Sequence, residues 1–480
     1  MPKSYLLYPF TIVVFSMAIF LPMMGRGFIH DDFVHLCSVA YDPIWWGLTR
    51  ANGGPFYTPI AWLTFKVDWI LWGRMAFPLA AMNLLLHIVN TLLLYRLALR
   101  LWQSHLVAWW TAFGFALLFP ANSWAVMWIS TRAHLLTTVF YLAAMLATLW
   151  FTRTQNYRLS AILTITLFSA LAIFSKESGV TIPVTIALLL LYERQRQQQW
   201  SISLISTIGL FVTLFVLLIV YALLRSQSGA VPLTISEGEG YTYLLSLRVL
   251  LDNFLRYGWR TFGLLAIVAA AIVLSKIICK HRVQLNLLTR NEILFSVMLF
   301  VITIAPFILL PIRSGIYTYL PGIAAALLLG ATVRTLYGTT NIVSSRHNLI
   351  AKFPILLVVA IYVTFTVGHS LKWKRMAEVN TTVLNQIATQ QVKAKRKSLF
   401  VLTYSQVDNT HRFPEGFASW GFPYALRLLY ADQTLNGLIV KESEMYLRKH
   451  KRSEIHFAYT LDSNNRPRVI KTTTDFLLPQ

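Results

Sequence analysis

The residues able to do chemistry fall in four short stretches, each mixing adjacent charges with apolar flanks. The first, Gly27-Phe28-Ile29-His30-Asp31-Asp32-Phe33-Val34-His35, follows an opening apolar run directly. Paired carboxylates at a membrane boundary are costly to keep charged, because burial and mutual repulsion both favour the protonated form. Two readings fit them. Asp31 or Asp32 caps the helix that follows, or one is a general base aimed at an acceptor hydroxyl while the other fixes geometry or a cation. In the second stretch, Phe174-Ser175-Lys176-Glu177-Ser178-Gly179, the charges form either a surface ion pair of small value or a site in which Lys176 meets a phosphate oxygen. The third runs from Pro311 to Pro321 and carries Arg313, Tyr317 and Tyr319: snorkelling and interface-belt residues, or a clamp on a lipid-linked phosphate with aromatic faces against its first isoprene units. The fourth, Trp128-Ile129-Ser130-Thr131-Arg132-Ala133-His134, puts a cation at a depth where unpaired cations are uncommon, so Arg132 is read as functional. His134 is read as structural, and His87 as the partner in an interhelical hydrogen bond; with Tyr57 they stand as candidate substrate contacts.

The elements that position these residues follow from composition. Of 480 residues, 56% are hydrophobic and 13% charged, against about 25% charged in an ordinary soluble domain, which excludes a soluble enzyme. Apolar runs lie near 5–25, 78–98, 105–121, 123–151, 158–175, 178–192, 201–224, 261–279, 292–311, 317–337 and 350–371. Each is long enough to approach a span of the ~30 Å hydrocarbon layer, giving about eleven crossings. The first is read as a retained helix, since Pro22-Met23-Met24-Gly25 makes a poor cleavage site. The 42 Lys and Arg against 19 Asp and Glu, a formal +23, speak first of topology and lipid headgroups, and no nucleic acid is expected. Arg96 and Arg100, Arg153 and Arg158, Arg194 and Arg196, the Lys276–Arg290 cluster, and Arg334, Arg346 and Lys352 occupy alternate loops and put the N-terminus inside. Asp31, Asp32, Asp42, Asp68, Glu177, Glu237, Glu239 and Asp252 then all face out, with only Glu193 and Glu292 within. Cys37 and Cys279 fall on opposite sides, so no disulfide is read from them.

The expected fold is therefore an all-α polytopic membrane unit, residues 1–371, with outer loops at 26–77 and 225–260, followed by a small α/β domain, residues 372–480, on the outer face. The tryptophans of the first outer loop favour short amphipathic helices lying along the interface. In the tail, a helical lead Met376–Gln391 ends in Lys393-Ala394-Lys395-Arg396-Lys397, a solvated basic face or a contact for anionic headgroups. A strand over Leu399–Tyr404, a helix over Tyr424–Ala431 and a hairpin of Ile455–Leu461 with Val469–Thr473 around Ser463-Asn464-Asn465 are expected to follow.

The acid pair after the first helix, Pro59-Ile60-Ala61-Trp62-Leu63-Thr64-Phe65, and Pro78 through Asn83-Leu84-Leu85-Leu86-His87 together resemble the GT-C class of integral-membrane glycosyltransferases. Within it the chain is most similar to protein O-mannosyltransferases that carry tetratricopeptide repeats and to their bacterial relatives. Ala125 to Leu136, Phe174 to Pro183 and Tyr317 to Pro321 extend the match over most of residues 5–340. The resemblance implies a sugar donor carried on a polyprenyl or dolichyl phosphate, used on the outer or lumenal side with inversion. Asp31 then matches the base, and Lys176 and Arg313, with Arg132, fall where donor phosphate is bound. His134 stands where repeat-bearing relatives usually have an acid, Pro55-Phe56-Tyr57-Thr58-Pro59 lacks their arginine, and no repeats follow the last helix. Mannose and protein specificity are accordingly not carried over.

Residues and resemblance together predict transfer from a polyprenyl-phosphate sugar to an acceptor hydroxyl or amine on a glycan, lipid or protein. The expected mechanism is a single displacement with Asp31 as base. No cofactor is required by that scheme; a divalent cation at Asp32 lacks a complete ligand set. A bacterial inner membrane with a periplasmic site is expected, or else an endoplasmic reticulum membrane with a lumenal one. The competing readings are a transporter or flippase of a lipid-linked saccharide, or a glycan polymerase or ligase.

Overall fold

The computed structural model describes residues 6–25, 27–52, 55–117, 121–153, 158–196, 202–230, 243–278, 290–338, 348–390, 396–410, 413–441, 454–464 and 466–472. Glu237, Glu239, Cys279, residues 279–289 of the basic cluster, Arg346, residues 393–395 and Asn465 lie outside them.

Helix α1 (Leu7–Phe20) leads into three short helices of the first loop, α2 (Asp32–Tyr41), α3 (Ile44–Thr49) and α4 (Pro59–Trp72). Then come α5 (Ala76–Trp102), α6 (His105–Leu117), α7 (Ala121–Met127), α8 (Arg132–Phe151), α9 (Arg158–Ser175), α10 (Ile182–Arg196), α11 (Leu204–Gln227), α12 (Leu247–Ile278), α13 (Arg290–Ile304), α14 (Gly322–Gly338) and α15 (Asn348–Thr389). A helix thus stands at every apolar run. Among the described residues four, at Ala76–Trp102, Ile129–Phe151, Arg158–Ser175 and Leu204–Gln227, are long and apolar enough to cross a membrane, or five if α6 and α7, bent by 66°, count as one broken span. The core of the bundle is the packing of α8 on α9 and of α5 on α6 and α8, around Leu94, Leu135, Leu142 and Ile165, all fully buried. Leu204–Gln227 is apolar on nearly every face and leaves Ile205, Phe215 and Leu223 exposed, as suits a helix whose solvent is hydrocarbon.

The run at 123–151 is not the single long helix its length suggests. It breaks at Trp128, whose backbone is extended, and a 3-10 turn at Ile129–Thr131 separates α7 from α8. A break inside a dry bundle persists only if the freed backbone groups find partners. Here they do. Asn83 Nδ2 donates to the carbonyls of Ala125, Trp128 and Ile129, Thr131 Oγ1 donates to those of Ala125 and Trp128, and the Ser130 amide donates to Asp32. The break places Arg132 at the start of α8, fully buried, where it staples three helices. Its Nη1 lies 2.5 Å from Asp68 on α4, its Nη2 donates to the Leu79 carbonyl and its Nε to Asn83 on α5. The cation that looked unpaired in the sequence is matched by an acid 64 positions earlier.

Helix α15 runs unbroken through residue 371 and, at 42 residues, is about 63 Å long at 1.5 Å per residue. Its C-terminal portion joins the bundle to the C-terminal unit, where β1 (Leu399–Tyr404), β2 (Asn436–Lys441), β3 (Glu454–Leu461) and β4 (Pro467–Thr472) form a sheet of order β2-β1-β3-β4 accompanied by α16 (Ala418–Tyr430). The first strand and the β3–β4 hairpin fall where alternation placed them. Strand β2 and the parallel pairing of β1 with both β2 and β3 were not foreseen. Phe400, Leu402 and Phe457 are fully buried in the central strands, while α16 packs on β2 and α15 on β4.

Removing one partner of the buried pair leaves a charge without compensation, so Asp68→Asn or Arg132→Met is expected to cost about 3–5 kcal/mol. The detergent-solubilised protein should melt earlier in either variant. The double variant Asp68→Leu with Arg132→Met should melt above both.

Candidate active site

The backbone enters α2 through His30, a non-glycine residue held at φ +46°. This left-handed step, normally avoided by side chains with a Cβ, turns Asp31 and Asp32 in different directions. Asp32, 1% exposed, accepts hydrogen bonds from the Ile29 amide at 3.0 Å and the Ser130 amide at 2.7 Å, one on each oxygen. It ties the first loop to the break between α7 and α8. Burial lifts its pKa to about 7, with the charge of Asp31 adding to the rise and the two amides opposing it. Asp31 sits at the cap position of α2 yet makes no capping bond. Its Oδ1 instead accepts from the indole of Trp420. Burial raises its pKa, and the Trp420 bond and the nearby charge of Lys176 hold it down. Helix capping is therefore not what either acid does here.

Lys176, 8% exposed, lies where α9 gives way to a 3-10 turn at Glu177–Thr181. Gly179 permits that turn to press on α9, since a Cβ there would come within 2.7 Å of the Ala172 backbone. The ammonium stands 3.4 Å above the centre of the Phe56 ring and 3.3 Å from Glu177. Burial lowers its pKa, while Glu177 and Asp31 pull the other way. Glu177 also binds Arg225 at 2.7 Å and the Tyr57 amide at 3.0 Å. Burial pushes the Glu177 carboxyl up, but the two cations and its hydrogen bonds outweigh that and hold it below the usual range. Phe56, Lys176, Glu177, Tyr221, Arg225 and Tyr317 line a cavity of about 230 Å³, with Phe307 and Leu310 supplying further apolar wall. Two cations against one acid leave this apolar-walled chamber with an excess positive charge, the environment an anionic head with an apolar tail requires.

The remaining sequence candidates divide. Tyr317 stacks on Phe307 at 4.3 Å and forms part of the wall, and His134 packs behind both rings. Tyr57 lies beside the chamber, its hydroxyl spent on the Leu48 carbonyl. Arg132 is withdrawn into its bond with Asp68, which corrects its assignment to phosphate. Tyr319 is corrected too: it is buried and hydrogen-bonded to His87 Nδ1 at 2.7 Å, while His87 Nε2 bonds the Ala116 carbonyl, so these two knit α5 to its neighbours. Arg313 is bound by Asp252 and by Asn253 and is not among the cavity residues. The cation that joins Lys176 is Arg225. Its signal was a lone arginine in the last turn of α11, the most apolar of the four membrane-length helices among the described residues. Among the described residues no three His, Cys, Asp or Glu side chains gather to hold a cation.

No family model matches the chain. Over 220 residues, 41% of this chain and 31% of the relative, it is 27% identical to the protein O-mannosyl-transferase F38B6.6 of Caenorhabditis elegans. The chain thus spans about a third of that relative's length. Among solved structures it superposes on ArnT from Cupriavidus metallidurans bound to undecaprenyl phosphate with a TM-score of 0.54 at 13% identity, covering 100% of both chains. It superposes on the apo oligosaccharyltransferase of Archaeoglobus fulgidus with a TM-score of 0.50 at 10% identity, covering 91% of this chain and 64% of that one. The fold is shared with these solved structures, over the whole chain in the case of ArnT, while the sequence similarity to the O-mannosyl-transferase covers 41% of the chain.

Asp32 carries a sign that can be checked. Its carboxyl titrates near 7 when folded and near 3.8 when unfolded, so between those values the folded state holds the extra proton. Stability contributed by this group is full below about pH 4 and is lost as pH rises toward 7. Asp32→Asn should flatten that part of the stability-against-pH curve, and should lower stability overall because the amide cannot accept on both sides.

Proposed function

We propose that this protein is a glycosyltransferase that takes a sugar from a polyprenyl-phosphate donor and passes it to an acceptor on the non-cytoplasmic side of a membrane. The observation that carries the reading is the chamber of Lys176 and Arg225, set within electrostatic reach of Asp31, in a fold shared with a protein solved with undecaprenyl phosphate bound. The charge asymmetry of the loops, read with the eleven apolar runs of the sequence, supports placing this chamber and residues 372–480 on the outer side: the periplasm of a bacterial inner membrane, or the lumen of an endoplasmic reticulum membrane.

In this scheme the isoprenoid lies against Phe307, Leu310 and Tyr317, and the phosphate sits between Lys176 and Arg225. Glu177 fixes both cations before the donor arrives. Asp31 takes the proton of the acceptor hydroxyl or amine as that group attacks the anomeric carbon from the face opposite phosphate, so the sugar inverts. The phosphodiester leaves as a monoester with one more negative charge. Cations already in place stabilise that developing charge more than the ground state, which is where they accelerate the step.

Purified protein incubated with a panel of polyprenyl-phosphate sugars should consume at least one of them. Asp31→Asn should lower transfer by roughly 10²–10⁴-fold, the range for removing a general base, with membrane insertion intact. Lys176→Ala and Arg225→Ala should chiefly raise the donor KM. Substantial transfer by purified Asp31→Asn removes the base assignment, and unchanged donor titrations in both cation variants remove the phosphate site.

A further inference from the structure

The segment that carries Asp31 is gripped by residues from the far end of the sequence. The His30 amide donates to the Gly416 carbonyl at 2.9 Å. Asn380 Nδ2, on the outer part of α15, donates to the carbonyls of both Phe28 and Gly416, at 2.9 and 2.7 Å. Phe33 stacks on Phe417 with centroids 5.7 Å apart. Gly421 allows α16 to come so close that a Cβ would lie 2.9 Å from the His30 carbonyl oxygen. With the peptide on both sides of Asp31 fixed, the carboxylate has little freedom beyond its own side-chain torsions, and Trp420 removes that by bonding Oδ1. Among the described residues Oδ2 has no hydrogen-bond partner.

We propose that the C-terminal unit completes the catalytic site, with Trp420 as the positioning residue that holds one oxygen of Asp31 and leaves the other as the atom that accepts the proton. This rests on Asp31 being the base. A packing role explains Trp420 poorly. Its ring is 50% exposed, so it buries little apolar surface for its size, while its one polar atom is spent on the residue that the reading places at the reacting centre. An N–H on a carboxylate favours the charged form. Trp420 therefore trades some basicity for a fixed direction and for a base that stays ionised at lower pH, against the burial that pushes the other way.

The test is Trp420→Phe in the full chain, which keeps an aromatic ring and deletes the donor. The expected result is a fall in kcat of about tenfold at an unchanged donor KM. The acid limb of the pH–rate profile should move up by roughly half to one unit, as loss of a hydrogen bond to a partly exposed anion implies. A kcat and an acid limb that match the wild type overturn the proposal. The contact is also read without turnover. The infrared carboxylate difference between each protein and its Asp31→Asn counterpart follows the titration of Asp31 itself. An upward shift of its midpoint in Trp420→Phe upholds Trp420 as the holder of this carboxylate even if Asp31→Asn proves active and the base reading falls. No shift overturns it while leaving the base reading to the transfer assay.

Discussion

A carboxylate at the rim of a hydrocarbon layer keeps its charge only where the protein supplies what water would have supplied. Four acids in this chain meet that constraint in four ways. Asp68 is matched at 2.5 Å by a fully buried arginine. Glu177 gathers two cations and a backbone amide. Asp32 is wrapped by two amides with no cation in contact and takes on a proton near neutrality. Asp31 alone is left half satisfied, with an indole on one oxygen. The acids bonded through both oxygens or paired with cations hold helices, loops or cations in place, and the proposed function gives the base role to the one acid of the four whose second oxygen is left open.

The four chemically loaded stretches were legible because charge between apolar runs is costly, and a costly feature has a cause. What each charge is for was not legible to the same degree. Arg132 looked free because Asp68 is 64 positions away in a different element, and sequence spacing carries no information about which helix faces which. Arg313 was distracted from the site by Asp252 in the same manner. Arg225 was overlooked because a single arginine ending an apolar helix reads equally well as an interface anchor. Trp420 gave no signal at all; it lies 389 positions from the atom it binds. In the tail, alternation located β1, β3 and β4, while β2, whose residues alternate weakly, had to be found by its pairing with β1.

The break between α7 and α8 shows how local irregularity serves the site. A continuous helix over 123–151 would have satisfied its own backbone and had no amide to offer Asp32 or Arg132 position to give. Breaking it frees the Ser130 amide for Asp32 and collects the stray carbonyls on Asn83, so the same asparagine that steadies the break also orients Arg132. Irregular backbone in such a bundle is tolerated where side chains finish its hydrogen bonding. The superposition on ArnT at 13% identity is in keeping with this: the overall path of the helices outlives most of the residues that build it.

The clasp between Gly416, Trp420 and the peptide from Phe28 to Phe33 also sets an order of events during synthesis. The loop bearing Asp31 is made before helices α5 to α15, and the residues that seat it, Gly416 and Trp420, emerge after them. A chain interrupted between Thr389 and Gly416 would still carry every helix of the bundle yet lack the clasp, so its competence is decided by residues that no membrane-crossing segment contains.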